Sequence, residues 1–261
     1  MAIYTLMSPG GSPGVTTTAL AVTYAWGGRA LLAECDPKGG SVLAGLLTGR
    51  TEGVRGGLLE LALSIAHDPT SATLWKYVIS LDQGAREWLL LPGIRDPRHL
   101  IQLDGAWDAI VEMITAATGD TMDVVIDLGR IGGSETPMRL ITASDLVVML
   151  LRPTLRQAAD AKPRLDALGR RVGTSVPVAL CLTGRGDYAA DQISQALYDL
   201  PVIGEIPHDP RSAAVLSDGA APRRTFRSSP LMRGASRLAT AMRQHLVETP
   251  NVEESREVMA G

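Results

Sequence analysis

Between an apolar strand-like segment, MAIYTLM at residues 1–7, and an apolar helical run at residues 19–26, the chain carries Ser8-Pro9-Gly10-Gly11-Ser12-Pro13-Gly14-Val15-Thr16-Thr17-Thr18. These are residue types that cradle phosphate groups. Glycines let backbone N–H groups turn toward an anion, and the start of a helix adds its own partial positive charge. A Ser/Thr hydroxyl at that start meets a phosphate-bound Mg²⁺, and a lysine just before the hydroxyl neutralises the phosphates. Here that lysine position holds Val15. The backbone and hydroxyl parts of the chemistry are present, and the charge is missing.

Other loops end on chemically useful groups. Glu34-Cys35-Asp36-Pro37-Lys38-Gly39-Gly40 closes one apolar run, and Val124-Val125-Ile126-Asp127-Leu128-Gly129 delivers a carboxylate at the end of another. Gly204-Glu205-Ile206-Pro207-His208-Asp209-Pro210 ends a third run at a loop. Positioning them requires a scaffold of strands alternating with helices. Strands are expected at residues 3–7, 30–35, 88–91, 122–127, 146–151, 178–182 and 202–206, and helices at 16–26, 41–47, 58–64, 97–117, 136–143, 158–172, 189–197, 211–217 and 230–247. The strands are short continuous apolar runs, as strands buried on both faces should be. The expected class is α/β, a mainly parallel sheet with helices on both faces in a three-layer sandwich. In such sheets ligands bind at the carboxyl ends of the strands, so the motif loops can converge on one crevice.

Composition narrows the function classes. With 261 residues, 45% of them apolar, the chain suffices for one large α/β core. There is no run of about eighteen or more uncharged apolar residues and no leader-like start, so a cytoplasmic location is expected. Cys35 and Cys181 lack metal-ligand or CxxC spacing and read as buried reduced thiols. The four histidines have no diagnostic spacing, and no Ser/His/Asp or Cys/His nucleophile arrangement stands out. A net charge of −3 argues against a generally basic nucleic-acid binder, while leaving room for local basic patches.

Taken in order, the motifs resemble the ParA/MinD family of deviant P-loop ATPases over residues 1–247, read as one α/β domain followed by a polar acidic tail at 248–261. The family loop reads KGGxGK[ST]. Gly10 stands in the place of its signature lysine, Gly14 keeps a glycine, Val15 replaces the second lysine and Thr16 keeps the hydroxyl, so the resemblance is to a lysine-less member. It implies that Gly10, Gly11, Ser12, Pro13, Gly14, Val15, Thr16 and Thr17 surround a nucleotide, with ATP and Mg²⁺ as the cofactors. Asp36, in a segment similar to DxDPQGN, takes the water-activating position. Thr16, Asp36 and Asp127 are then the metal-side residues. Thr183, Pro207 and Asp209 fall where family members hold the adenine. Lys38 and Arg130 are cations in neighbouring loops that can stand in for the lost lysines. What the resemblance implies in function is a homodimerising module of intracellular positioning or partitioning, here a regulatory or scaffold pseudo-ATPase with weak or no hydrolysis. The alternatives are an ATP-dependent dimerisation switch with its cation supplied from outside the loop, and a DNA-associated partitioning factor.

Purely structural roles also satisfy several of these residues. The glycines and prolines of residues 9–14 make a compact strand-to-helix turn, Thr16 and Thr17 suit a helix cap, and Asp36 before Pro37 suits a turn. Toward the end of the chain, Arg223, Arg224 and Arg227 form a basic cluster open to nonspecific DNA. Arg233, Arg237 and Arg243 follow on a helix that also bears Leu231, Leu238, Met242 and Leu246, where arginines read as a solvated face. The acidic stretch Glu253-Glu254-Ser255-Arg256-Glu257 opposes membrane anchoring.

Overall fold

Strands that are apolar at consecutive positions cannot leave either face in water, so they pair side by side and take a helical layer above and below. The computed structural model describes residues 1–11, 13–47, 56–69, 73–81, 87–103 and 105–248; Ser12 and residues 249–261 of the tail lie outside the described residues. Its strands are β1 (Ile3–Ser8), β2 (Ala30–Glu34), β3 (Ile79–Ser80), β4 (Trp88–Leu91), β5 (Asp123–Arg130), β6 (Leu146–Leu151), β7 (Val178–Thr183) and β8 (Val202–Ile206). They form one eight-stranded sheet in the order β3-β4-β2-β5-β1-β6-β7-β8. Every pairing is parallel except that of β3, which runs antiparallel to β4 at the edge. All the expected strands are present. The additional β3 has only 2 residues, too few for any periodicity to reveal it.

Successive side chains of β6 divide the core. Val147, Met149 and Leu151 enter the layer under α2 (Leu58–His67), α3 (Trp107–Thr118), α4 (Met138–Thr142), α5 (Leu155–Val172) and α6 (Ala190–Ala196). Leu146, Val148 and Leu150 enter the layer under α1 (Val15–Tyr24), α7 (Pro210–Ser217) and α8 (Pro230–Glu248). Cys35 and Cys181 are free and buried, as expected.

Two helix expectations need correction. Residues 42–47 form successive turns in place of the helix expected at 41–47, with Gly45, a poor helix former, in the middle of the segment; the N–H groups of Ser41 and Val42 donate to the buried carboxylate of Glu34. The long helix expected at 97–117 is instead a 3-10 helix, Pro97–Leu103, separated from α3 by Gly105 at φ +79°. A left-handed glycine cannot continue a right-handed helix.

The amphipathic stretch near the chain's end is α8, and its apolar face is used inside the protein: Leu231, Leu238 and Met242 are buried in the α1-side layer. Arg233 and Arg237 lie on the solvated face as expected, whereas Arg243 is half-buried with its guanidinium 5.3 Å from the centroid of the Trp26 ring. Glycines set the closeness of the helix to the sheet. A Cβ on Gly234 would stand 2.9 Å from the Glu205 carbonyl oxygen, and one on Gly204 would stand 2.8 Å from Cδ1 of Leu238. Gly234→Val should therefore lower the unfolding free energy by about 1–3 kcal/mol through overpacking, with the same change at exposed Arg237 costing about 0.5 kcal/mol or less. Urea denaturation of the two variants checks this difference.

Candidate functional site

β1 lies at the centre of the sheet, and the chain leaves it toward β2 on one side while β5 crosses over it to β6 on the other. That divergence opens a crevice at the strands' carboxyl ends. The loop after β1 fills its floor. Gly11 and Gly14 take φ +68° and +91°, and Gly14 is the residue that precedes α1, with no side-chain cap. Thr16 and Thr17 thus lie inside the first turn and do not cap the helix, a correction of the capping role. The Thr16 hydroxyl instead donates to the Asp127 carboxylate. Val15 is 5% exposed and belongs to the α1-side apolar layer. An isopropyl group fits that place, and it adds no charge to the loop.

A residue that sequence reading passed over holds the loop in shape. Gln157 is buried; its Nε2 donates to the Gly10 carbonyl at 3.1 Å while its Oε1 accepts the Arg152 N–H at 3.1 Å. A Cβ on Gly11 would sit 2.1 Å from that Nε2, so the loop passes as close to Gln157 as glycine permits. The available signal was Thr154-x-x-Gln157: Thr154 accepts the Gln157 N–H as a helix cap at 3.4 Å, the spacing of a helix start.

The carboxylates meet beside this loop. Asp127, 1% exposed, accepts from Thr16 and from the Gly129 N–H at 3.0 Å. Burial, opposed by Thr16 and reinforced by the charges of Glu34 and Asp36, pushes its pKa up to about 7. The register between β1 and β5 slips between Leu6 and Met7, so Gly129 stands opposite Met7 at φ +63°. Asp36 occupies the space thus left: a Cβ on Gly129 would lie 1.9 Å from its Oδ2. Asp36 is half-buried and accepts the Lys38 N–H at 2.8 Å. Burial raises its pKa, against the lowering effects of Lys38 and Arg130. Glu34, which opens the motif at the end of β2, accepts from the N–H groups of Ser41 at 2.8 Å, Val42 at 3.0 Å and Gly93 at 3.2 Å.

Two cavities open over these groups. One, of about 330 Å³, lies between the loop, Thr16 and Thr17 on one side and Asp36, Lys38, Gly129 and Arg130 on the other. The second, of about 420 Å³, brings Thr17 together with Thr183, Pro207, His208 and Asp209, and adds Arg152 and Arg185. Thr183 is 4% exposed, and its hydroxyl has no hydrogen-bond partner. Asp209 is committed to capping α7, its Oδ1 accepting from the Ser212 N–H at 3.2 Å. Arg223, Arg224 and Arg227 stand apart from this crevice, along a groove of about 970 Å³ with Trp88, Phe226 and Met232.

The residues fit a nucleotide in part. Left-handed glycines, a helix N-terminus and an orphaned hydroxyl suit phosphates and a base, while the loop carries no lysine. Thr16, Asp36 and Asp127 are hard oxygen donors of the kind Mg²⁺ takes together with phosphate oxygens. Among the described residues, no group of three or more His, Cys, Asp and Glu is arranged to hold a metal ion by itself. No helix of the described residues is long and apolar enough to cross a membrane.

No family model matches the sequence, and no curated protein matches it either. Solved structures do. The septum site-determining protein MinD from Pyrococcus horikoshii, complexed with Mg-ADP, is 18% identical, with a TM-score of 0.71 over 92% of this chain and 95% of its own. A ParA family ATPase from Chlorobium tepidum is 13% identical with a TM-score of 0.69, covering 92% and 97%. Apo McdA from Cyanthece is 15% identical with a TM-score of 0.68, covering 93% and 99%. The strand order, the helical layers and the loop after β1 thus assemble into the fold of the MinD and ParA ATPases, and this chain is built on that fold.

Proposed function

We propose that this chain is a degenerate MinD/ParA-fold module of intracellular positioning or partitioning, which homodimerises and acts as a regulator or scaffold with weak or no ATP hydrolysis. The carrying observation is Val15, packed in the apolar layer beneath the loop where a phosphate-facing lysine belongs. Phosphoryl transfer depends on positive charge around the transferring group, and the loop supplies none.

A second reading keeps the nucleotide as a dimerisation switch with its cation drawn from outside the loop, supported by Lys38 and Arg130 on the wall of the phosphate-side cavity. A DNA-associated role is supported by the exposure of Arg223, Arg224 and Arg227 along one groove.

The leading reading expects Mg-ATP turnover below about 10⁻³ s⁻¹, the scale of a P-loop enzyme without its transition-state cation. It also expects a dimer in light scattering that is indifferent to Mg-ATP. Dimers that form only with Mg-ATP would replace it with the switch. If the arginine cluster serves DNA, replacing Arg223, Arg224 and Arg227 by Ala together should abolish retention on DNA and flatten its salt dependence. Asp127 makes a pH prediction. Its folded carboxyl holds a proton more tightly than its unfolded one, so its contribution favours folding below pH of about 4 and is lost as pH rises toward 7. Asp127→Asn, which keeps an oxygen acceptor for Thr16 and Gly129, should gain on the order of 1–4 kcal/mol relative to the parent chain between pH 4 and pH 8. Urea titrations at the two pH values measure that change, and an equal difference at both would refute the raised pKa.

A further inference from the structure

Pro13, Gly14 and Thr17 line both cavities at the carboxyl edge, so the two are halves of one crevice. In one half the Thr183 hydroxyl is buried without a partner, and an unmet buried hydroxyl calls for a ligand atom to meet it. In the other half Lys38 and Arg130 provide the positive charge of the wall. Neither forms an ion pair, those among the described residues being Arg98 with Asp96 and Arg139 with Asp108, although both act on the nearby Asp36 carboxylate. Arg130 lies along the loop, its Cδ 3.8 Å from where a Cβ of Gly10 would stand, which is the place of the lost signature lysine. Lys38 comes from the loop that follows β2, where its N–H is anchored on Asp36 at 2.8 Å, and lines the same cavity.

We propose that Lys38 and Arg130 together replace the two missing loop lysines, clamping the terminal phosphates of a nucleoside triphosphate between the loops that follow β2 and β5. The proposal rests on the nucleotide-switch reading and assigns its cations. Arg130 brings a planar fork of donors that pairs two phosphate oxygens at once and never loses its charge, and Lys38 adds a mobile point charge. Because the two come from different loops, the clamp depends on where Glu34 holds the 36–42 segment through Ser41 and Val42. Asp36 sits between the cations and, with Thr16, faces the same cavity, which leaves oxygen donors for a phosphate-bound Mg²⁺.

Calorimetric titration of the full chain with Mg-ATP and with adenosine tests this. The variants are Lys38→Ala, Arg130→Ala, the double change, Arg130→Lys and Thr183→Val. Both cations are exposed, so circular dichroism and melting should stay those of the parent chain. Each single alanine should weaken Mg-ATP binding about tenfold or more, and the double about a hundredfold, on the scale of charge-assisted contacts. Adenosine binding should be unmoved by these changes and weakened by Thr183→Val, and Arg130→Lys should retain part of the Mg-ATP affinity. Mg-ATP binding by the parent chain that survives unchanged in the double variant would overturn the clamp while leaving the switch standing. Failure of the parent chain to bind either ligand at millimolar concentration would remove the switch, and the clamp with it.

Discussion

Glu34 ends a strand buried on both faces, and its carboxylate must find donors there or remain protonated. It takes them from the N–H groups of Ser41, Val42 and Gly93. Burial still raises its pKa, with those three N–H groups pulling the other way. Much of the carboxyl edge follows from this arrangement. Two loops from different strands have to converge on one side chain, so their backbones nearly touch: a Cβ on Gly40 would stand 2.9 Å from the Gly93 Cα and equally close to the Glu34 carboxylate. The segment at 41–47 is tied down at its start, where the N–H groups of Ser41 and Val42 both go to Glu34. The position of Lys38 and Asp36 over the cavity is set in turn by that anchored segment.

The same logic extends to β5. A buried carboxylate at Asp127 needs donors close by, and it finds them in Thr16 and in the Gly129 N–H. The register slip that brings Gly129 opposite Met7 also clears the space against which Asp36 rests. Three carboxylates therefore crowd the carboxyl edge, and although Lys38 and Arg130 act to lower Asp36, burial and neighbouring negative charge leave all three raised. Such an edge favours whatever brings positive charge to it, whether protons or a metal ion. The loop after β1 adds no lysine to offset that imbalance.

Where burial dictates pattern, the sequence could be read closely. The continuous apolar runs at 3–7, 146–151 and 178–182 match β1, β6 and β7, because a strand covered on both faces admits nothing else. That the loop after β1 and the acids at 36 and 127 come to the carboxyl edge was legible for a related reason, since each lies where such an apolar run ends. What escaped was set by contacts distant in sequence. Gln157 looks like an ordinary helix-start residue until its amide is seen on Gly10, 147 residues away. Thr183 was placed by resemblance alone, and nothing in its neighbours says that its hydroxyl lacks a partner. The segment expected as a helix at 41–47 packs against the end of α7, where a Cβ on Gly45 would stand 2.1 Å from the Ser217 carbonyl oxygen.

That the loop keeps its form without lysines has a physical explanation in the same contacts. In this chain its path is fixed by the left-handed Gly11 and Gly14, by Gln157 against Gly10 and by Val15 anchored in the apolar layer. None of these depends on charge or on a bound phosphate. Removing cations from such a loop takes away affinity and catalysis, which are electrostatic, and leaves the geometry, which is steric and hydrogen-bonded. A MinD/ParA fold can thus persist intact whether or not its nucleotide chemistry does, and the likeness of backbones carries no information about turnover. What decides that question is the placement of cations around the crevice, whose wall in this chain carries Lys38 and Arg130 from outside the loop.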